Sequence, residues 1–243
     1  MQQPNPNLVT IEFLKLSGVI PTDWQLAKQP VNNDRVSQLL FTNGVSIIAE
    51  PNRIMFGETI GEREIASSTV AAVAQKYLEI FKLAKYLAIS INIRSYSPQV
   101  NSVAATEYIN HQLLAAGSWQ NYGVAPVQAS LNLVYTLPDR QLSLEVAAAG
   151  MQVADREMVP VVLFSGNFNY HLGTPETGAD IAVASRVIDN WQTDLATYSE
   201  LISDRFLSPN QSTISVPTSI DIDRLAQFEI PYAPDLDSVG SLS

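Results

Sequence analysis

The chain has 243 residues and a mass of 26.6 kDa, 46% of them hydrophobic and 16% charged. That composition excludes wholesale disorder, and no uninterrupted apolar run is long enough to predict a membrane-spanning helix. Fourteen basic against 24 acidic residues give a net charge of −10, which argues against nucleic acid and anionic membranes, both bound by clustered Lys and Arg.

There are no cysteines, so disulfides, thiol nucleophiles and cysteine-ligated zinc are excluded. The first residues lack the basic and apolar regions of a secretory signal, and the expected location is cytoplasmic.

Residues 1–7 read as a polar arm. Across 8–20, Val9, Ile11 and Phe13 alternate with Thr10 and Glu12 before the pattern turns apolar on both sides, which predicts an interior strand with Gly18 at a bulge. A connection over 21–35 follows. The dipeptide Asn43-Gly44 between apolar runs 36–42 and 45–49 predicts a type I′ hairpin, and Glu50-Pro51-Asn52 turns into a third strand at 53–57. Ser67 and Ser68 offer N-caps to a helix with Val70, Val73, Ala74, Tyr77, Leu78, Phe81 and Ala84 on one stripe. The alternating segment 87–96 predicts a strand that Pro98 ends. A shorter helix capped by Asn101 or Ser102 should close near Gly117.

The second half uses the same grammar. Strands are predicted at 127–136, 141–149 and 159–170. A long helix over 180–206 follows, with Ile188, Trp191, Leu195, Tyr198 and Ile202 inward and Asp189, Thr193, Asp194 and Glu200 on a solvated face. The resulting expectation is α+β: antiparallel meanders with long amphipathic helices packed on the sheet, and two similar halves, 1–100 and 101–207, that point to an internal duplication. Residues 208–243 read as a proline-containing tail, surface-draped or partly disordered, with 213–216 extended enough to join a sheet edge. From Asp180 onward, ten acids and three bases concentrate most of the negative charge.

The order of a lone strand, a meander, a long helix and the strand Ile89-Ser90-Ile91-Asn92-Ile93-Arg94-Ser95-Tyr96 loosely resembles a sporadically distributed family of bacterial proteins with no assigned activity. Its members carry an adjacent arginine–tyrosine pair on that strand. Here Ser95 separates Arg94 from Tyr96. The resemblance implies two strand-rich halves, each followed by a long helix, and no reaction.

Few residues offer chemistry. His111 has no metal-ligand partner at helical spacing, and His171 closes a strand beside Tyr170. The acidic loop 57–64 sits before a helix, where carboxylates are favourable against unpaired N–H groups. Asp155-Arg156-Glu157 reads as a turn with local ion pairing. Trp191 lies on the core stripe, whereas Trp24, Trp119 and Tyr122 fall in loops and are expected to fold back over the core. No phosphate loop, dinucleotide fingerprint, zincin motif or nucleophile elbow occurs, so no cofactor, no metal and no catalytic residue is expected. The favoured reading is a non-enzymatic interaction or scaffold protein that self-associates as a homo-oligomer, with room for a protein partner. The alternative is a small-molecule-binding protein or enzyme whose cleft between the halves is lined by Arg94, Tyr96, Tyr170 and His171, with Arg94 clamping an anionic group.

Overall fold

A computed structural model describes residues 6–60, 67–152, 158–174, 177–179, 181–207 and 225–229. The strands are β1 (Val31–Asn32), β2 (Ser37–Leu40), β3 (Val45–Glu50), β4 (Arg53–Thr59), β5 (Ala88–Pro98), β6 (Ser130–Thr136), β7 (Gln141–Gln152), β8 (Met158–His171) and β9 (Leu225–Glu229). The helices are α1 (Ile11–Leu16), α2 (Val70–Ile80), α3 (Ser102–Glu107), α4 (Ile181–Asp189) and α5 (Trp191–Glu200). The chain is α+β. Two antiparallel four-stranded groups, β1–β4 and β5–β8, are joined by β9 into one sheet of order β1-β2-β3-β4-β9-β5-β8-β7-β6.

Register decides which face stays dry. Ile89, Ile91 and Ile93 of β5 stand opposite Tyr170, Phe168 and Gly166 of β8, and Leu142, Leu144 and Val146 of β7 stand opposite Phe168, Gly166 and Phe164. Strand side chains alternate, so these residues share one face, and their apolar members are buried. The helices lie on that face. In the first half Phe56 of β4 meets Tyr77 of α2 edge-on at 5.4 Å between ring centres. Gln75 of α2 reaches α4, donating to the Ser185 carbonyl at 2.7 Å and to Asp189 Oδ1 at 2.9 Å. The opposite face carries Asn92, Arg94, Tyr96, Ser165, Asn167 and Asn169.

Several expectations are corrected. The predicted strand over 8–20 is helix α1, because Thr10 accepts a hydrogen bond from Phe13 N at 3.2 Å and nucleates a turn. Gly18 is no bulge: its φ of +75° lets the chain leave that helix, a conformation glycine adopts without strain. The hairpin at Asn43-Gly44 exists but spans three residues, since Phe41 N bonds Val45 O at 2.8 Å while Gly44, at φ +88°, bonds Phe41 O. A two-residue type I′ turn would have paired Thr42 with Val45 instead. The N-cap of α2 is Thr69, not Ser67 or Ser68.

The short helix after Asn101 does begin as expected, with Asn101 Oδ1 accepting from Ala104 N at 2.8 Å. It then widens and stops at Leu114, whose N–H bonds Ile109 O at 3.2 Å, well before Gly117. The long helix predicted over 180–206 breaks at Asn190 into α4 and α5. In the tail, residues 213–216 lie outside the described residues, and the described strand, β9, is interior rather than at an edge. The two halves share a layout, yet nothing establishes a duplication.

Tyr198 of α5 fixes that helix to the sheet. Its hydroxyl donates to the Phe164 carbonyl at 2.9 Å, which leaves Ser95 Oγ as the donor in the 2.6 Å contact between the two hydroxyls. The ring lies on Gly166, where an added Cβ would come within 2.7 Å of it. The ring is buried and held by two hydrogen bonds at its hydroxyl. Gly166→Ala should therefore lower stability by about 1–3 kcal/mol, read as a shift in the urea midpoint. An unchanged midpoint would show that the ring does not press on that strand.

Candidate functional site

The most polar buried constellation centres on Asp194, which has no exposed surface. Tyr170 of β8 donates its hydroxyl to both carboxylate oxygens, at 3.0 and 2.9 Å. Arg140, at the turn between β6 and β7, brings Nε to 2.7 Å from Oδ1, but the N–H is not aimed along that line, so the contact is Coulombic. The guanidinium also bonds Asp139 at 2.6 Å and lies 5.7 Å from the ring centres of both Phe168 and Tyr170.

Burial pushes the Asp194 carboxyl up to about 6, opposed by the Tyr170 hydrogen bond and the Arg140 charge. Burial, together with Asp194, also holds the Tyr170 phenol well above its ordinary value. For Arg140 desolvation disfavours the charge, yet Asp139 and Asp194 outweigh it and raise its pKa. Both carboxylate oxygens are occupied and closed to solvent, so the cluster clamps α5, β8 and the β6–β7 turn together.

Glu58 of β4, 1% exposed, is likewise committed. One of its oxygens accepts from Thr69 N at 2.8 Å, Val70 N at 3.2 Å and Ser68 Oγ at 3.0 Å, satisfying the first turn of α2. The expected role of an acidic residue at that helix start holds for Glu58. The rest of that loop, 61–64, and the turn at 155–157 lie outside the described residues.

The four residues predicted to line a cleft are not brought together. Arg94, Tyr96 and His171 stand on the face opposite the helices, and Tyr170 on the helix face. Ala88 pairs with His171 and Tyr96 with Leu163, eight ladder positions apart, or roughly 26 Å along the strand at ~3.3 Å per residue. Arg94 is exposed and its Nε donates to Ser165 Oγ at 3.3 Å. His111 is exposed too, and among the described residues no three His, Asp or Glu gather as a metal site. Of the loop aromatics, Trp24 packs edge-on against Phe41 at 5.2 Å, whereas Trp119 and Tyr122 stay exposed.

Two surface features remain. An open groove of about 630 Å³ runs between α3 and the far end of β7, floored by Ala147, Ala148, Ala149 and Gly150 and walled by Thr106 and Gln128. Among the described residues its lining contains no charged side chain. The other feature is β6, the outermost strand of the second half, whose Leu131, Leu133 and Tyr135 pack on the core while remaining half-exposed. Among families, curated proteins and solved structures, none matches this chain.

Asp194 was hidden by its residue type. It follows Trp191 by three and precedes Tyr198 by four, which places it on the inward stripe of α5. Its ionisation has a measurable consequence. The folded chain holds the Asp194 proton up to about pH 6, the unfolded chain only to about 3.8. The native state binds more protons between these values, so this group's contribution is greatest below the lower one and falls as pH rises through the upper. Compared with Asp194→Asn, the wild-type chain should lose stability across that window by an amount on the order of 3 kcal/mol. Urea denaturation at a series of pH values checks this, and a constant difference would mean that Asp194 is ionised throughout.

Proposed function

We propose that this chain is a non-enzymatic interaction protein that works by self-association. The observation that carries this reading is the unfinished end of its sheet. At β6 three large side chains stay half-exposed, and among the described residues nothing pairs with the outer side of the strand. The buried acids support it from another direction, since Asp194 and Glu58 are held by structural partners. Light scattering across a concentration series should report a defined oligomer, and a single-chain mass at every concentration would remove this reading.

The groove beside α3 favours a second reading, a binding protein for a small neutral molecule. Its small-residue floor admits a flat or extended apolar group, and Ser102, Thr106, Gln128 and Ser130 supply neutral hydrogen-bonding groups at the walls. This replaces the anion-binding cleft between the halves with a site whose described lining is neutral. Native mass spectrometry of the purified chain should then show a neutral adduct that Ala148→Phe displaces. An adduct unaffected by that substitution would place the ligand elsewhere.

A further inference from the structure

We infer that the partner is a second copy of this chain, joined through β6 to β6 of the partner in an antiparallel, two-fold symmetric pair. The inference rests on the self-association reading and adds the surface, the occupant and the register.

The two ends of the sheet are built differently. At one end β1 is two residues long, preceded by Pro30 and followed by Asp34 and Arg35, features that discourage strand addition. At the other end β6 reads Ser-Leu-Asn-Leu-Val-Tyr-Thr over seven residues, with no proline, glycine or charge. Such an edge, unpaired among the described residues, presents a row of backbone donors and acceptors. Which residues present them follows from the turn into β7. Leu137 N bonds Arg140 O at 2.9 Å, and hydrogen-bonded pairs alternate from there, so Tyr135, Leu133 and Leu131 bond β7. Ser130, Asn132, Val134 and Thr136 are left to aim their N–H and C=O groups outward.

A second β6 fits this edge in one full register. Only when Ser130 stands opposite Thr136 of the other copy do all seven residues of both strands pair. Asn132 then faces Val134, both with outward-aimed backbone groups, and Leu133 meets Leu133 on the two-fold axis. On the helix side the pairing sets Leu131 against Tyr135 across the seam, turning two half-exposed apolar rows into one. No charge opposes another along the strand, which matters for copies that each carry a net charge of −10. The axis runs perpendicular to the sheet, so both helix layers lie on the same side of a continuous sheet.

Charge placement tests the register. Val134 is 61% exposed, so Val134→Lys should leave the fold intact, as circular dichroism would verify, while reducing the scattered mass from two chains to one. Adding Asn132→Glu to that variant sets each lysine opposite a glutamate of the other copy and should restore the dimer in a salt-sensitive way. The chain has no cysteine, so Leu133→Cys provides an independent readout. Directly opposed residues of a non-hydrogen-bonded pair have Cα atoms about 4.5 Å apart, within disulfide range. Mild oxidation should cross-link Leu133→Cys and leave Val134→Cys uncoupled. A wild-type dimer that survives Val134→Lys and gives no Leu133→Cys cross-link would overturn this interface and leave self-association standing. Loss of the dimer without rescue by Asn132→Glu would overturn the register. A monomeric wild-type chain would overturn both, with the edge then open to a strand from a different protein.

Discussion

A carboxylate sealed away from water organises the second half of this molecule. Removing an ionised group from solvent is costly unless partners replace the lost hydration. Two elements distant in sequence supply those partners for Asp194 on α5: the β6–β7 turn through Arg140 and β8 through Tyr170. The position of each of the three, α5 included, is a condition for the other two. Arg140 also spreads its charge over the faces of Phe168 and Tyr170, so the ion pair and the aromatic packing of β8 constrain each other. The first half solves a related problem with Glu58, whose carboxylate satisfies the amides at the start of α2. In both halves a buried acid ties a helix to a strand by charge as well as by apolar contact.

The dry face follows from parity. Once β5, β7 and β8 are in register, alternate residues fall on one side, and the packing reduces to how closely a helix can approach. Gly166 sets that distance for α5, because only a residue without Cβ leaves room for the Tyr198 ring. The hydroxyl of that tyrosine then reaches Ser95 on the next strand, so one side chain spans β8 and β5. Among the described residues no helix covers the opposite face. Its Asn92–Asn167 and Arg94–Ser165 contacts link neighbouring strands through polar groups.

Much of this was readable from residue order. Turn residues located β3 and β4, apolar runs β7 and β8, alternation β5 and helical spacing α2, because burial on one side leaves a period and a tight turn needs particular residues. The failures have identifiable causes. Residues 8–20 alternate over too few positions to separate a strand from a short helix, and the Thr10 cap decided between them. The chemistry of Asp194 predicts a solvated side chain, although its position on α5 points inward; the partners that make burial tolerable come from residues 140 and 170, and no local pattern announces them. The same non-locality undid the cleft of Arg94, Tyr96, Tyr170 and His171. Neighbours in sequence on a strand face opposite sides, so Tyr170 and His171 part company at once.

The pairing of β5 with β8 also governs how the molecule is made. Arg94 meets Ser165, 71 residues further on, and a ribosome adding about 5–20 residues per second needs several seconds to deliver that stretch. Throughout that interval the nascent chain carries Ile89, Ile91 and Ile93 on a strand that lacks its β8 neighbour. The meander of β6, β7 and β8, whose pairings are local, can assemble as soon as it emerges. The ladder between β5 and β8 closes only once that later meander exists, although β5 is the earlier of the two in the chain.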